Sequence, residues 1–416
     1  MPIARRPRGV TSILVATAVA GGSGYIAMAI VGATRPPAEY AGFGVFWAAI
    51  YLVIAMLSGV QQEVTRATIP VPQGHPPRHH LALRFGAVTA VVVALVLAAT
   101  SPLWAIPVFG DGGWPLVLPI VLGAAGYVVV AVLAGTLYGL ELWTAIAFMI
   151  AVDGVLRLLA ILLVLAFGGD VVPLAWAVAV PFPLTPLVLW WFFRRRVAGR
   201  TMLDVGARAL VWNSARTVAA SIAIGVLVSG YPLLLKVARP DTQPDELGTA
   251  IFAVNLVRAP LVIVVLALQS YLIVHFRGAG ARSWSSFLRI AAMLSAATIV
   301  LAAAAGLLGP LILEAWWPAY VLDGWFLAAL VVTSGLLGLL CVSGPLVLAH
   351  AQHGVYTSGW IAAALATIVC LIVVPGGLGV AVIVSLMVGP LIGVAVHVVG
   401  DVVRRRPVVA APADQA

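Results

Sequence analysis

The chain has 416 residues, of which 63% are apolar and 9% charged, and its formal net charge is +9. Soluble domains carry about 25% charged residues, so this composition excludes an ordinary soluble protein and points to a bilayer. Two cysteines exclude a disulfide-stapled fold or a multi-cysteine metal cluster, and polar stretches of at most about fifteen residues leave no room for a folded extramembrane domain, which excludes most enzymes.

A membrane-spanning helix needs about 20 apolar residues. Such runs begin near Thr11, Phe43, Leu83, Pro115, Trp143 and Pro173, and again near Leu210, Gly248, Phe287, Gly324, Val355 and Leu378. Twelve spans in a six-plus-six arrangement are therefore expected in an all-α integral membrane protein. Ala18-Val19-Ala20 has the small-x-small form of a signal-peptidase site, but the apolar run continues to Ala33, so the first span is expected to stay uncleaved. Pro181, Pro183 and Pro186 interrupt the sixth span, Gly344-Pro345 the tenth and Gly389-Pro390 the twelfth, as suits helices that bend.

Of 23 basic residues 22 are Arg, and they lie in short clusters beside the spans. With the N-terminus inside, seventeen fall on inner segments, including Arg66, Arg84, Arg194–Arg196, Arg208 and Arg404–Arg406, against three (Arg35, Lys236, Arg239) outside. This bias places both termini in the cytoplasm and the chain in the cell membrane. Basic clusters beside spans meet anionic lipid, and they lack the interleaved aromatics of a nucleic-acid groove, so membrane lipid is an expected partner and nucleic acid is not. The expected domains are a bundle over 1–196, a cytoplasmic linker over 197–207, a second bundle over 208–403 and a tail over 404–416.

The halves echo each other. Ser23-Gly24-Tyr25 recurs as Ser229-Gly230-Tyr231, Pro37-Ala38-Glu39 as Pro244-Asp245-Glu246, and Gln62 as Gln269, at offsets of 206, 207 and 207 residues. A parallel repeat puts a pseudo-two-fold along the membrane normal with a substrate path between bundles.

A charge at the bilayer centre costs roughly 2.5–3.5 kcal/mol and must face protein or water. Asp153 and Arg157 meet this description in the fifth span, on one helix face at i,i+4 spacing. They form either a neutral structural pair or part of a site. Arg258 lies deep in the eighth span, between Asn255 and Pro260, and its best explanation is a polar cavity. Arg216, near Asn213, is close enough to the interface to snorkel, while Glu63 and Arg66 close the second span. His75, His79 and His80 share a loop broken by Pro76 and Pro77 and hold no metal, and no nucleotide or heme motif is present, so no cofactor is expected.

The block GGSGYIAMAIVGATRPPAEYAGFGVFWAAIYLVIAMLSGVQQEVTRA resembles the first two spans of polysaccharide-exporter flippases of the multidrug/oligosaccharidyl-lipid/polysaccharide (MOP) superfamily. AVNLVRAPLVIVVLALQSYLIVHF is similar to their eighth span and LYGLELWTAIAFMIAVDGVLRLL to their fourth-to-fifth-span turn. The outer turn departs from the pattern, with Thr34-Arg35-Pro36-Pro37 where Leu-Gly-Pro is usual. The resemblance implies two six-helix bundles around a cationic cavity that moves polyprenyl-pyrophosphate-linked glycans to the outer leaflet by alternating access, beside glycan-assembly enzymes. On that reading Arg258, Arg157 and Arg216 bind the pyrophosphate, and Asn255, Asn213 and Gln62 hydrogen-bond sugar hydroxyls. Asp153 and Glu63 are the candidates for a coupling H⁺ or Na⁺. The alternatives are a cation-coupled multidrug exporter of the same fold, or a membrane-embedded glycan polymerase or ligase. The expected activity is transport, not catalysis.

Overall fold

The computed structural model describes residues 8–71, 80–197 and 201–405. The expectations for His75 and His79, for Arg200 in the linker and for the tail from Arg406 lie outside the described residues, and so does the side chain of Gln269.

Fourteen α-helices occupy the described chain: α1 (Arg8–Thr34), α2 (Pro37–Ala67), α3 (His80–Phe109), α4 (Val117–Gly139), α5 (Trp143–Ala166), α6 (Val171–Ala179), α7 (Pro181–Val197), α8 (Ala207–Val228), α9 (Tyr231–Ala238), α10 (Pro244–Ala279), α11 (Ser283–Trp316), α12 (Gly324–Ala349), α13 (His353–Val373) and α14 (Leu378–Arg405). Eleven segments are long and apolar enough to cross a membrane, and the expected eighth span is helical throughout as α10. The chain is a multi-pass membrane protein. Its apolar residues surround the helices instead of forming one stripe, and Leu95, Leu103, Leu307 and Leu311 are exposed, as suits surfaces that face lipid.

Proline behaves differently from helix to helix. The sixth span breaks as expected, where Val180 separates α6 from α7 ahead of Pro181 and Pro183. The other expected interruptions require correction: α7 runs unbroken through Pro186, α12 through Pro345 and α14 through Pro390, and α10 likewise continues past Pro260. A lone proline removes one backbone bond and leaves the rest of the ladder standing, whereas Pro181 and Pro183 remove two in succession. Gly344 and Gly389, before two of these prolines, let the helices lie close to Tyr356 and Thr367.

Two compact units emerge: Met1–Ile263 with Gly309–Asp323, and Val264–Leu308 with Gly324–Ala416. In unit one, α2 packs along both α4 and α8. The α8 crossing is so close that a Cβ on Gly59 would enter the Thr217–Val218 backbone, and Thr217 Oγ1 donates to the Gly59 carbonyl at 2.8 Å. The sequence gives no hint of one further element. Strand β1 (Thr68–Pro70) pairs antiparallel with β2 (Thr201–Leu203), so part of the linker is tied to the end of α2. The Asp204 N–H extends the pairing to the Ala67 carbonyl. In unit two, α14 packs on α12 and α13, with Gly359 making room for the His397 ring.

Candidate functional site

In unit one the two repeated helix starts meet. Pro37 opens α2 and Pro244 opens α10, each at a position where the missing N–H costs nothing. The Ala38 N–H donates to the Asp245 carboxylate at 3.2 Å, and Gly248 lies against the Pro37 carbonyl. Around this junction Tyr40, Phe252, Trp317 and Tyr320 pack ring to ring, with Phe252 and Tyr320 centroids 4.1 Å apart. Trp317 Nε1 donates to the Ala29 carbonyl at 2.8 Å and the Tyr320 hydroxyl to the Arg35 carbonyl at 3.2 Å. Burial pushes the Tyr320 phenol well above its ordinary range, so it stays a donor. Arg35 Nη2 closes this end of the unit on the Gly169 carbonyl at 2.6 Å.

Deeper in the same unit, Asp153 and Arg157 form the ion pair their spacing suggests, at 2.9 Å. Arg157 is buried, and its other donors also meet protein. Nη1 donates to the Tyr51 hydroxyl at 2.6 Å and Nε to the Val178 carbonyl at 3.2 Å, next to the α6–α7 break. The guanidinium lies 4.3 Å from the Phe182 ring centroid and 5.5 Å from that of Tyr51. Arg157 thus joins α5 to α2, α6 and α7. Asp153, whose side chain is 22% exposed, also accepts from Thr185 Oγ1 at 3.4 Å.

Glu63 is buried at the arginine-rich end of α2. Arg66 grips it with two N–H groups at 2.7 and 2.9 Å, and Asn213 Nδ2 on α8 donates to it at 3.0 Å. These three donors leave the carboxylate few lone pairs for a cation. Asn213 is accordingly occupied with Glu63, while Gln62 and Arg216 are exposed. Arg258 is 6% exposed, donates from Nη2 to the Leu227 carbonyl at 2.9 Å and lies over the Tyr231 ring at 5.6 Å. Asn255 Nδ2 reaches the Tyr40 hydroxyl at 3.5 Å. Two tyrosines of the repeated motif converge on this stretch of α10, because Tyr25 donates to the Leu256 carbonyl at 3.2 Å.

The expected residues therefore fall into three local groups in unit one: Arg157 with Asp153, Glu63 with Asn213, and Arg258 near Asn255. Arg216 and Gln62 are exposed.

Unit two holds polar groups that the sequence reading overlooked. Asp401 on α14 is fully buried, accepts from Trp284 Nε1 at 2.9 Å and sits 2.7 Å from His350 Nδ1. His350 Nε2 lies 3.0 Å from the hydroxyl of Ser283, at the start of α11. One helical turn earlier on α14, the buried His397 places Nδ1 2.8 Å from Ser343 Oγ and Nε2 3.0 Å from the Tyr356 carbonyl. The i,i+4 spacing of His397 and Asp401 on an apolar helix is the one signal the sequence offered.

This architecture is the fold of MOP-superfamily transporters. The chain aligns with a multidrug resistance MATE family transporter of that superfamily in its inward-facing conformation at a TM-score of 0.64 and 14% identity, covering 95% of this chain and 96% of the other. A MOP superfamily transporter from Pyrococcus furiosus, described by a binding pocket whose reverse polarity suggests a different function, gives 0.63 and 15%, covering 94% and 95%. In sequence, the chain is 31% identical over 412 residues to "Uncharacterized protein Rv1510" of Mycobacterium tuberculosis, covering 98% of this chain and 93% of that one, and it belongs to the same family. "Uncharacterized protein Mb3654" of Mycobacterium bovis is 29% identical over 394 residues, covering 94% and 91%. No family model matches the chain.

Proposed function

We propose that the chain is a transporter of the cytoplasmic membrane that moves a polyprenyl-pyrophosphate-linked oligosaccharide from the inner to the outer leaflet, with both termini cytoplasmic. The observation that supports this reading is the buried guanidinium of Arg258 in unit one. Arg157 is neutralised by Asp153, and each of the acids Asp153 and Glu63 is held by an arginine. A cationic drug requires an acid free to face it. A pyrophosphate instead matches the planar donor fork of Arg, which stays ionised at every accessible pH.

Arg258 is the residue to test. It lies between the repeated tyrosines' contacts, on the helix whose start meets its repeat partner. In a strain where this chain is the only flippase, Arg258→Ala should insert at normal level yet lower export of mature glycan by about tenfold or more, the loss of one charge-assisted contact. Arg258→Lys, which keeps the charge without the fork, should retain partial export. Wild-type export by the Ala variant would remove Arg258 from the path. Multidrug export remains the second reading, favoured by the MATE-family fold neighbours. Vesicles carrying the purified protein separate the two, because dye efflux without glycan movement would establish the exporter.

A further inference from the structure

We propose that Trp47, Tyr51 and Tyr127 form an aromatic wall in unit one against which the sugar part of the cargo lies, with Asp153 accepting from its hydroxyls. This deepens the glycan reading and rests on it. The acid gives the first indication. Asp153 stands near the middle of α5, and its side chain is 22% exposed. A carboxylate at that depth is too costly to face lipid, so its exposed part meets water. The partners place that water inside the bundle: Thr185 comes from α7, and Arg157 joins the pair to Tyr51 of α2. Aromatic rings line the same space. Trp47 stacks on Tyr51 with centroids 4.9 Å apart and planes at 20°, and Phe182 links Tyr51 to Tyr127 at 6.4 and 5.8 Å. A Cβ on Gly24 of α1 would touch the edge of the Trp47 ring, so α1 closes one side. Among the described residues, neither Trp47 Nε1 nor the Tyr127 hydroxyl has a hydrogen-bond partner, and both side chains are half-buried.

A sugar ring presents a face of polarised C–H bonds and a rim of hydroxyls. The face of an aromatic ring is negative and attracts such hydrogens, while a carboxylate oxygen accepts from the rim. The unbonded indole N–H and phenol O–H are donors for the sugar's own oxygens. Charge argues against a cation at this wall. Arg157 neutralises Asp153 at 2.9 Å, and a neutral polyhydroxylated ring needs no net charge. Asn213, expected to serve the sugar, is instead bonded to Glu63. The placement relative to Arg258 suits a cargo with two chemically different parts. Helices α2 and α10 begin together, where the Ala38 N–H meets Asp245, and they stay packed as far as Gly44 against Ile251. Tyr51 lies fourteen residues after Pro37, and Arg258 lies fourteen after Pro244. At 1.5 Å per residue each is roughly 21 Å along its helix. The repeat thus sets the aromatic wall on one helix and a guanidinium on the other at equal depth, the first for sugar and the second for pyrophosphate.

Lipid binding by the purified full-length protein, read by native mass spectrometry, tests the wall. The probes are polyprenyl pyrophosphate and the polyprenyl-pyrophosphate oligosaccharides extracted from the cells in which the chain occurs. Trp47→Leu keeps apolar volume but loses the aromatic face. It should weaken binding of the glycan-bearing lipid about threefold to tenfold relative to the bare pyrophosphate lipid, the share of one aromatic contact. Trp47→Phe restores a ring and should recover most of that ratio. A ring used only for packing would change both lipids equally or neither, and either result overturns the wall while leaving the flippase reading intact. Where Trp47→Leu folds poorly, Tyr127→Phe decides, because it removes only a hydroxyl. It should lower the same ratio about twofold or more, and an unchanged ratio overturns the proposal. Wild-type protein that binds neither lipid removes the glycan reading and the wall with it. Ethidium bound by that protein and lost in Trp47→Leu would then assign the rings to a cationic cargo.

Discussion

Asp153 and Asp401 are both aspartates on apolar helices, and each shares its helix face with a basic side chain four residues away. Their partners differ in kind. Asp153 is gripped by Arg157, which is itself pinned by Tyr51, Val178 and the Phe182 ring. Asp401 is held by His350, just past the end of α12, and by the Trp284 indole. The first acid is closed by a cation of its own helix, whereas Asp401 ties the start of α11 and the end of α12 to α14. The partner, not the acid, sets what the carboxylate can do.

The largest effect should come from cutting the permanent pair. Arg157→Ala leaves Asp153 facing an emptied, desolvated space and severs α5 from Tyr51 and Val178, at a cost of about 3–5 kcal/mol. Thermal unfolding of the purified protein should show a large loss of Tm, and membrane abundance should fall. Replacing both partners, Asp153→Asn with Arg157→Gln, removes the stranded charge and should recover most of the stability. A double variant as unstable as Arg157→Ala would show that packing over Phe182, not charge, holds the cluster. A double variant that is stable but inactive would instead place Arg157 against the cargo.

Local chemistry was readable where the decisive residues lie within a helical turn or two. The spans and the Asp153–Arg157 pair depend on near neighbours in sequence. Asp401 was missed because His350 lies 51 residues away and Trp284 lies 117 away, so only the packing of α11, α12 and α14 brings them together. The β1–β2 pairing of Thr68–Pro70 with Thr201–Leu203 has the same origin, since neither triplet has a strand pattern of its own. Glu63 with Arg66 was visible as a pair, but not the third donor, Asn213, which comes from α8. Prolines misled for the opposite reason. A residue type was read as a helix break when the outcome depends on how many successive backbone bonds are lost and on whether a neighbouring helix can close in.

A smaller effect sharpens the same contrast through the neutral donors. Trp284 Nε1 gives Asp401 one hydrogen bond at 2.9 Å, and Asn213 Nδ2 gives Glu63 one at 3.0 Å. Removing a donor from a buried carboxylate costs about 1–3 kcal/mol. Trp284→Phe should fall at the upper end, because Asp401 is fully buried and loses a donor from another helix. Asn213→Ala should fall at the lower end and be indifferent to pH between 5 and 8, because Arg66 continues to hold Glu63. Thermal unfolding of both variants measures the difference, and equal losses would erase the distinction between the two pairs.

The smallest effect belongs to Asp204. Arg66 Nη1 reaches it at 3.5 Å, and their side chains are 37% and 49% exposed. Water and salt screen such a pair, and exposed ion pairs contribute about 0.2–1 kcal/mol. The Asp204 backbone N–H is bonded to the Ala67 carbonyl as part of the β1–β2 pairing, and this bond survives any change of side chain. Asp204→Asn should therefore leave unfolding within about 0.5 kcal/mol of wild type, with the residual loss disappearing at high salt. Glu63 fixes Arg66 without Asp204, since two N–H groups already bind it from one turn away. A loss above about 1 kcal/mol would mean that the three charges act as one network at the α2–α8 junction. In that case a fixed cation would do more than neutralise a buried acid: it would also transmit strain from the linker strand into the membrane-spanning helices.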